Sequence, residues 1–103
     1  MSQNENHWDE VYQIEIELMR HLVVLGLDWH DEAAMMKLAA ECKVFGPANA
    51  QAAYASNEQK QITRAEFFGL VSVMIRTMES AARDGRDVHG GEVWKAFGKH
   101  LYT

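Results

Sequence analysis

The chain has 103 residues, 48% of them hydrophobic and 24% charged, which fits one globular domain over residues 1–103 that buries roughly two-thirds of its unfolded surface in a single core. A net charge of −5 repels phosphate backbones, so the expectation is no nucleic acid and, if anything, a basic protein partner. The polar, acidic start MSQNENHWDE is unlike a secretory signal, LVVLGL is too short to cross a bilayer, and the lone Cys42 allows neither a disulfide framework nor a cysteine zinc site; together these point to a cytoplasmic protein that does not contact membranes.

The charge is uneven along the chain. Residues 1–50 carry nine Asp/Glu against three Lys/Arg, and residues 51–103 carry six against seven. Residues 1–6 read as a disordered tail, and the first helix is expected over 7–25. At about 100° per residue, Val11, Ile14, Leu18, Leu22 and Leu25 form one apolar stripe, and Trp8, Tyr12, Ile16, Met19 and Val23 form an adjacent one. Together they span roughly 200° of the helix, leaving Asp9, Gln13, Glu17 and Arg20 as the wet face. A helix this apolar must be covered on two sides, either at the centre of a bundle or at a subunit interface.

Gly26 stands where a left-handed residue ends a helix, with Leu27 as its hydrophobic companion. Asp28 then reads as the N-cap of a second helix over 29–45, with Asp31 and Glu32 in its first turn and Met35, Leu38, Ala39, Cys42 and Phe45 inward. The short link predicts that the first two helices form an antiparallel hairpin. Gly46-Pro47 ends the second helix and starts a third, Ala-rich one around Tyr54.

After SNEQKQ, Thr63 and Glu66 fit a T-x-x-E capping box opening a helix over 64–83, with Phe67, Phe68, Leu70, Val71, Met74, Ile75, Met78, Ala81 and Ala82 on its apolar face. RDGRDVHGG reads as a loop and GEVWKAFGKHLY as a last short helix burying Val93, Trp94, Phe97 and Leu101. The stretch ASNEQKQITRAEFFGLV, about a sixth of the chain, resembles the second half of an EF-hand through Ile62, Glu66 and Phe67. In that register, however, Ala55 takes the first ligand position and Lys60 the glycine position, so calcium binding is not expected. No alternating strand pattern competes, and the fold class is all-α: a compact bundle of four to five helices.

Three constellations bear on function. Glu17 and His21 share a helix face, with Glu10 two turns earlier on the same edge, and could contribute part of a metal site. The repeated Glu-x-x-His of di-iron bundles and the H-E-x-x-H motif are both absent. The glycines of DGRDVHGGE, with Arg83 and Arg86, precede a helix N-terminus that could hold an anion within the 83–92 loop. Glu15 projects between the two stripes, so a buried arc would leave its carboxylate protonated, paired with Arg76 or Arg64, or facing an opening.

No nucleophile elbow, Ser-His-Asp order or Cys-His pairing is readable, so neither an enzyme nor a cofactor is expected. The first reading is a small acidic non-enzymatic protein-interaction module (adaptor, inhibitor or immunity- or antitoxin-like), homodimeric through its first helix. Its contact surface is Trp8, Tyr12, Glu15, Ile16, Met19 and Val23, with Trp8 and Tyr12 as simple core residues the competing assignment. The alternative is a small metal- or anion-binding helical protein using Glu10, Glu17 and His21 or the 83–92 loop.

Overall fold

The computed structural model describes residues 3–102, which form five α-helices and a closing 3₁₀ turn with no strand among them: α1 (Gln3–Leu25), α2 (Glu32–Val44), α3 (Pro47–Ala55), α4 (Gln59–Arg83), α5 (Glu92–Gly98) and the turn Lys99–Tyr102. The all-α bundle is therefore the fold. α1 begins inside the stretch expected to be a tail; residues 1 and 2 lie outside the described residues.

α1 and α4, the two longest helices, lie along each other and set the 42 Å length of the molecule. Val11, Ile14, Leu18 and Leu22 of α1 enter the core with Phe67, Phe68, Val71, Met74 and Ala81 of α4. The antiparallel hairpin expected of α1 and α2 is not the principal packing. α1 takes α4 as its close neighbour, while α2 packs on α5 and the 3₁₀ turn. The link from Gly26 to Asp31 has the reach to swing α2 aside, and pairing the two longest apolar faces removes more surface from water than pairing either with the shorter α2. Phe67 stands edge-on to Phe97 at 5.1 Å, tying α4 to α5, and Phe45 stands edge-on to Phe68 at 4.8 Å.

Both long helices end in the same hydrogen-bonded lock. Gly26 has φ +72°; its N–H donates to Val23 O and that of Leu27 to Leu22 O. At the end of α4, Gly85 has φ +75°, and the N–H groups of Gly85 and Arg86 donate to Ala82 O and Ala81 O. This is the Schellman arrangement, which requires a left-handed residue and so favours glycine.

Two helix starts differ from the sequence expectation. α2 is capped by Asp31, whose carboxylate accepts from Ala34 N at 3.1 Å, not by Asp28. Asp28 instead holds the preceding turn, accepting from His30 N at 2.9 Å and His30 Nδ1 at 2.8 Å. α4 starts at Gln59, four residues before the expected Thr63 cap; Thr63 is buried inside the helix, where its hydroxyl accepts from Gln59 Nε2 at 3.1 Å. The chain reverses instead at Asn57, with φ +61°. Only Ser56 to Glu58 separate α3 from α4, so no EF-hand loop exists in this stretch.

Candidate functional surface and the Glu15 cap

The two apolar stripes of α1 have opposite fates. The first is core. The second faces outward: Trp8 is 47% exposed, Tyr12 65%, Met19 41% and Val23 73%, with Ile16 half-buried between them. Trp8 and Tyr12 are therefore not core residues of the monomer. The five side chains follow one another along a single face of α1, a band of roughly 22 Å at 1.5 Å per residue. Single exposed hydrophobics are ordinary, whereas a contiguous band led by Trp and Tyr is the composition of contact surfaces.

Beside the first half of this band lies a groove of about 300 Å³ lined by Trp8, Val11, Tyr12, Glu15, His89, Gly90 and Gly91. Glu15 forms its inner wall, and its carboxylate is paired with neither Arg76 nor Arg64. It accepts hydrogen bonds from Gly91 N at 2.5 Å, Val93 N at 3.1 Å and Trp94 N at 3.3 Å. These are the orphan donors of the first turn of α5, whose own N-cap, Gly91, has no side chain to offer. A carboxylate there satisfies N–H groups that the helix cannot satisfy itself and meets the positive end of its dipole. The helix N-terminus at the end of the 83–92 loop, considered as the alternative place for an anion, is thus met by a carboxylate of the chain itself.

The paired glycines follow from this contact. A Cβ on Gly91 would lie 2.6 Å from Glu15 Oε2, and a Cβ on Gly90 would overlap the Trp94 indole. Gly91 has φ −85°, within reach of any residue, so the requirement is for space, not backbone freedom. Asp87 and His89 form an exposed pair at 3.1 Å at the outer lip.

The three metal candidates do not converge. Glu17 binds Arg20 at 2.7 Å. His21 Nδ1 donates to Glu17 O at 2.6 Å, while its Nε2 faces Glu66 of α4 at 3.6 Å. Glu10 lies apart with Val73, Arg76, Thr77 and Ser80 around it. Among the described residues no three His, Cys, Asp or Glu side chains gather as a metal site.

Two further features escaped the sequence reading. At the junction of α1, α2 and α4, Lys37, Lys60 and Arg64 ring a cavity of about 350 Å³ floored by Leu25, Leu27, Ala34 and Leu38, with Glu41 paired to Arg64 at 3.7 Å. Its cations come from two helices whose packing no local pattern encodes. At the far end of α2, Lys99 Nζ donates to Glu32 at 3.0 Å and holds that carboxyl below its ordinary value. The buried His100 ring approaches the same carboxylate at 3.8 Å. Asp28 is likewise lowered, by the backbone N–H and then the ring of His30. Burial pushes the Cys42 thiol up, consistent with a small hydrophobe and not an activated nucleophile.

No helix among the described residues is long and apolar enough to cross a membrane. Compared with protein-family models, curated proteins and solved structures, the chain matches none.

Proposed function

We propose that this protein is a small, acidic, non-enzymatic interaction module that works by presenting the second stripe of α1 to another protein surface. The observation that supports this reading is the outward placement of Trp8, Tyr12, Met19 and Val23 on a helix whose adjacent stripe supplies Val11, Ile14, Leu18 and Leu22 to the core. Aromatic anchors carry a large share of the energy of a protein contact, and the charged edge sets specificity and rate. Asp9 is exposed beside the band, which favours a partner bearing a basic residue at that edge.

The test reads association in two ways, as mass by light scattering over a range of concentrations and as anisotropy of a labelled synthetic amphipathic helix of leucine and lysine. Tyr12→Asp is the informative variant. It adds negative charge, so it strengthens a purely electrostatic attachment of the peptide but weakens an apolar one. Weakened association in whichever assay detects it, with an unchanged melting temperature on dilute protein, is the expected outcome. Tighter peptide binding by Tyr12→Asp, or no association in either assay, would sink the reading.

A further inference from the structure

Resting on that reading, we infer that the occupant of the stripe is a second copy of this chain, docked antiparallel along α1. The stripe is close to palindromic in register: Trp8 and Val23 lie equally far from a point between Glu15 and Ile16, and so do Tyr12 and Met19. A two-fold axis through that point, normal to the helix pair, sets Tyr12 against Met19 of the second copy and Trp8 against Val23 of the second copy, twice over. Two-fold contacts of this kind are self-complementary and closed, so association stops at the dimer.

Shape supports the same register. The groove beside Trp8 and Tyr12, walled by Glu15 and His89, lies opposite the second half of the other α1, where Met19 and Val23 project. Each copy then offers a groove at one end of the stripe and two aliphatic knobs at the other. The spacing of Tyr12, Ile16, Met19 and Val23 alternates four, three and four residues, the alternation by which side chains of two long helices interlock.

Charge selects the orientation. Asp9 and Arg20 occupy the same edge of the stripe, near its two ends. Antiparallel pairing brings this edge against its own reversed copy, so each Asp9 approaches Arg20 of the second copy. Parallel pairing turns it instead towards the opposite edge, where the carboxylate of Glu15 already caps α5. The second copy is favoured over an unrelated basic protein because groove, knobs and edge charges all find their complement in the chain itself.

Disulfide trapping in a Cys42→Ser background tests the register. Tyr12→Cys and Met19→Cys are made separately and oxidised alone and mixed, with thermal melts to confirm folding. Antiparallel docking places the thiol introduced by Tyr12→Cys beside the one introduced by Met19→Cys on the other copy. It leaves like thiols about 10 Å apart along the helix, beyond disulfide reach, so the mixture links at least about tenfold faster than either variant alone. Charge exchange provides a second arm: Asp9→Arg weakens the dimer, and adding Arg20→Asp restores it. Rapid linking within each variant alone overturns the antiparallel register. A monomer at every concentration that still binds the leucine-lysine peptide through Tyr12 overturns the second copy and leaves the interaction reading standing; loss of peptide binding as well removes both.

Discussion

The carboxylate of Glu15 and the missing side chain of Gly91 act as one unit, which makes them separable by a mutant cycle. Glu15→Ala leaves the first-turn N–H groups of α5 without their acceptor and is expected to cost about 1–3 kcal/mol. Gly91→Ala pushes a methyl into that carboxylate and costs about the same, by expelling the cap. The double variant should cost little more than either single one, because the cap can be lost only once. At roughly 4–8 °C per kcal/mol for a domain near this size, melting curves resolve the difference. Strict additivity would mean that Gly91 is needed for some other reason. A second residue-scale prediction concerns acid. The folded-state value of Glu32 is depressed, chiefly by the hydrogen bond from Lys99, so its contribution is present above the ordinary glutamate range and is lost as pH falls through the depressed value. The gap in melting temperature between the wild type and Lys99→Met should therefore be largest at neutral pH and close as the pH drops below about 4. A gap that persists in acid would assign the effect to packing of the lysine stem.

Among the elements, α1 carries the functional argument because its two stripes are equally apolar in sequence and unequally covered in space. Leu18→Ala empties a fully buried site and should destabilise the fold by about 2–5 kcal/mol. Tyr12→Ala and Val23→Ala, measured on dilute protein, should stay within about 0.5 kcal/mol of the wild type. A large loss from either exposed position would return the second stripe to the core. The sequence pattern made both stripes legible, since a period of 3.6 residues is written into residue order, and it located Gly26 because a left-handed terminus all but demands glycine. It misplaced the starts of α2 and α4 for a definable reason. Asp28 and Asp31 are both competent caps in sequence, and in the structure Asp28 is taken up by His30 while Asp31 caps the helix. Thr63 and Glu66 match a capping box equally well from inside a helix when Gln59 to Ile62 offer no break. The neighbour of α1 was not legible either, because whether α2 or α4 lies against it depends on summed burial across the chain.

At the scale of the whole molecule, the acidic bias of residues 1–50 is met in part by the more basic second half. Glu32 pairs with Lys99 and Glu41 with Arg64 across that divide. Both pairs are exposed and contribute little to stability, but they leave α1 as an acidic helix with an apolar band. The Glu15 contact could not be read from sequence, as it joins groups 76 to 79 positions apart, and only the helix N-terminus and the placement of Glu15 between stripes hinted at each half. The central claim is that the second stripe of α1 is the surface through which the protein acts. Hydroxyl-radical footprinting at dilute and at high protein concentration tests it most directly, because the molecule supplies its own controls: Tyr54, Tyr102 and Met36 are exposed elsewhere, 52%, 74% and 54% respectively. Tyr12 and Met19 are expected to become protected on concentration while those three do not. Protection centred on Tyr54, Tyr102 or Met36, with Tyr12 and Met19 reacting as freely as before, would contradict the claim.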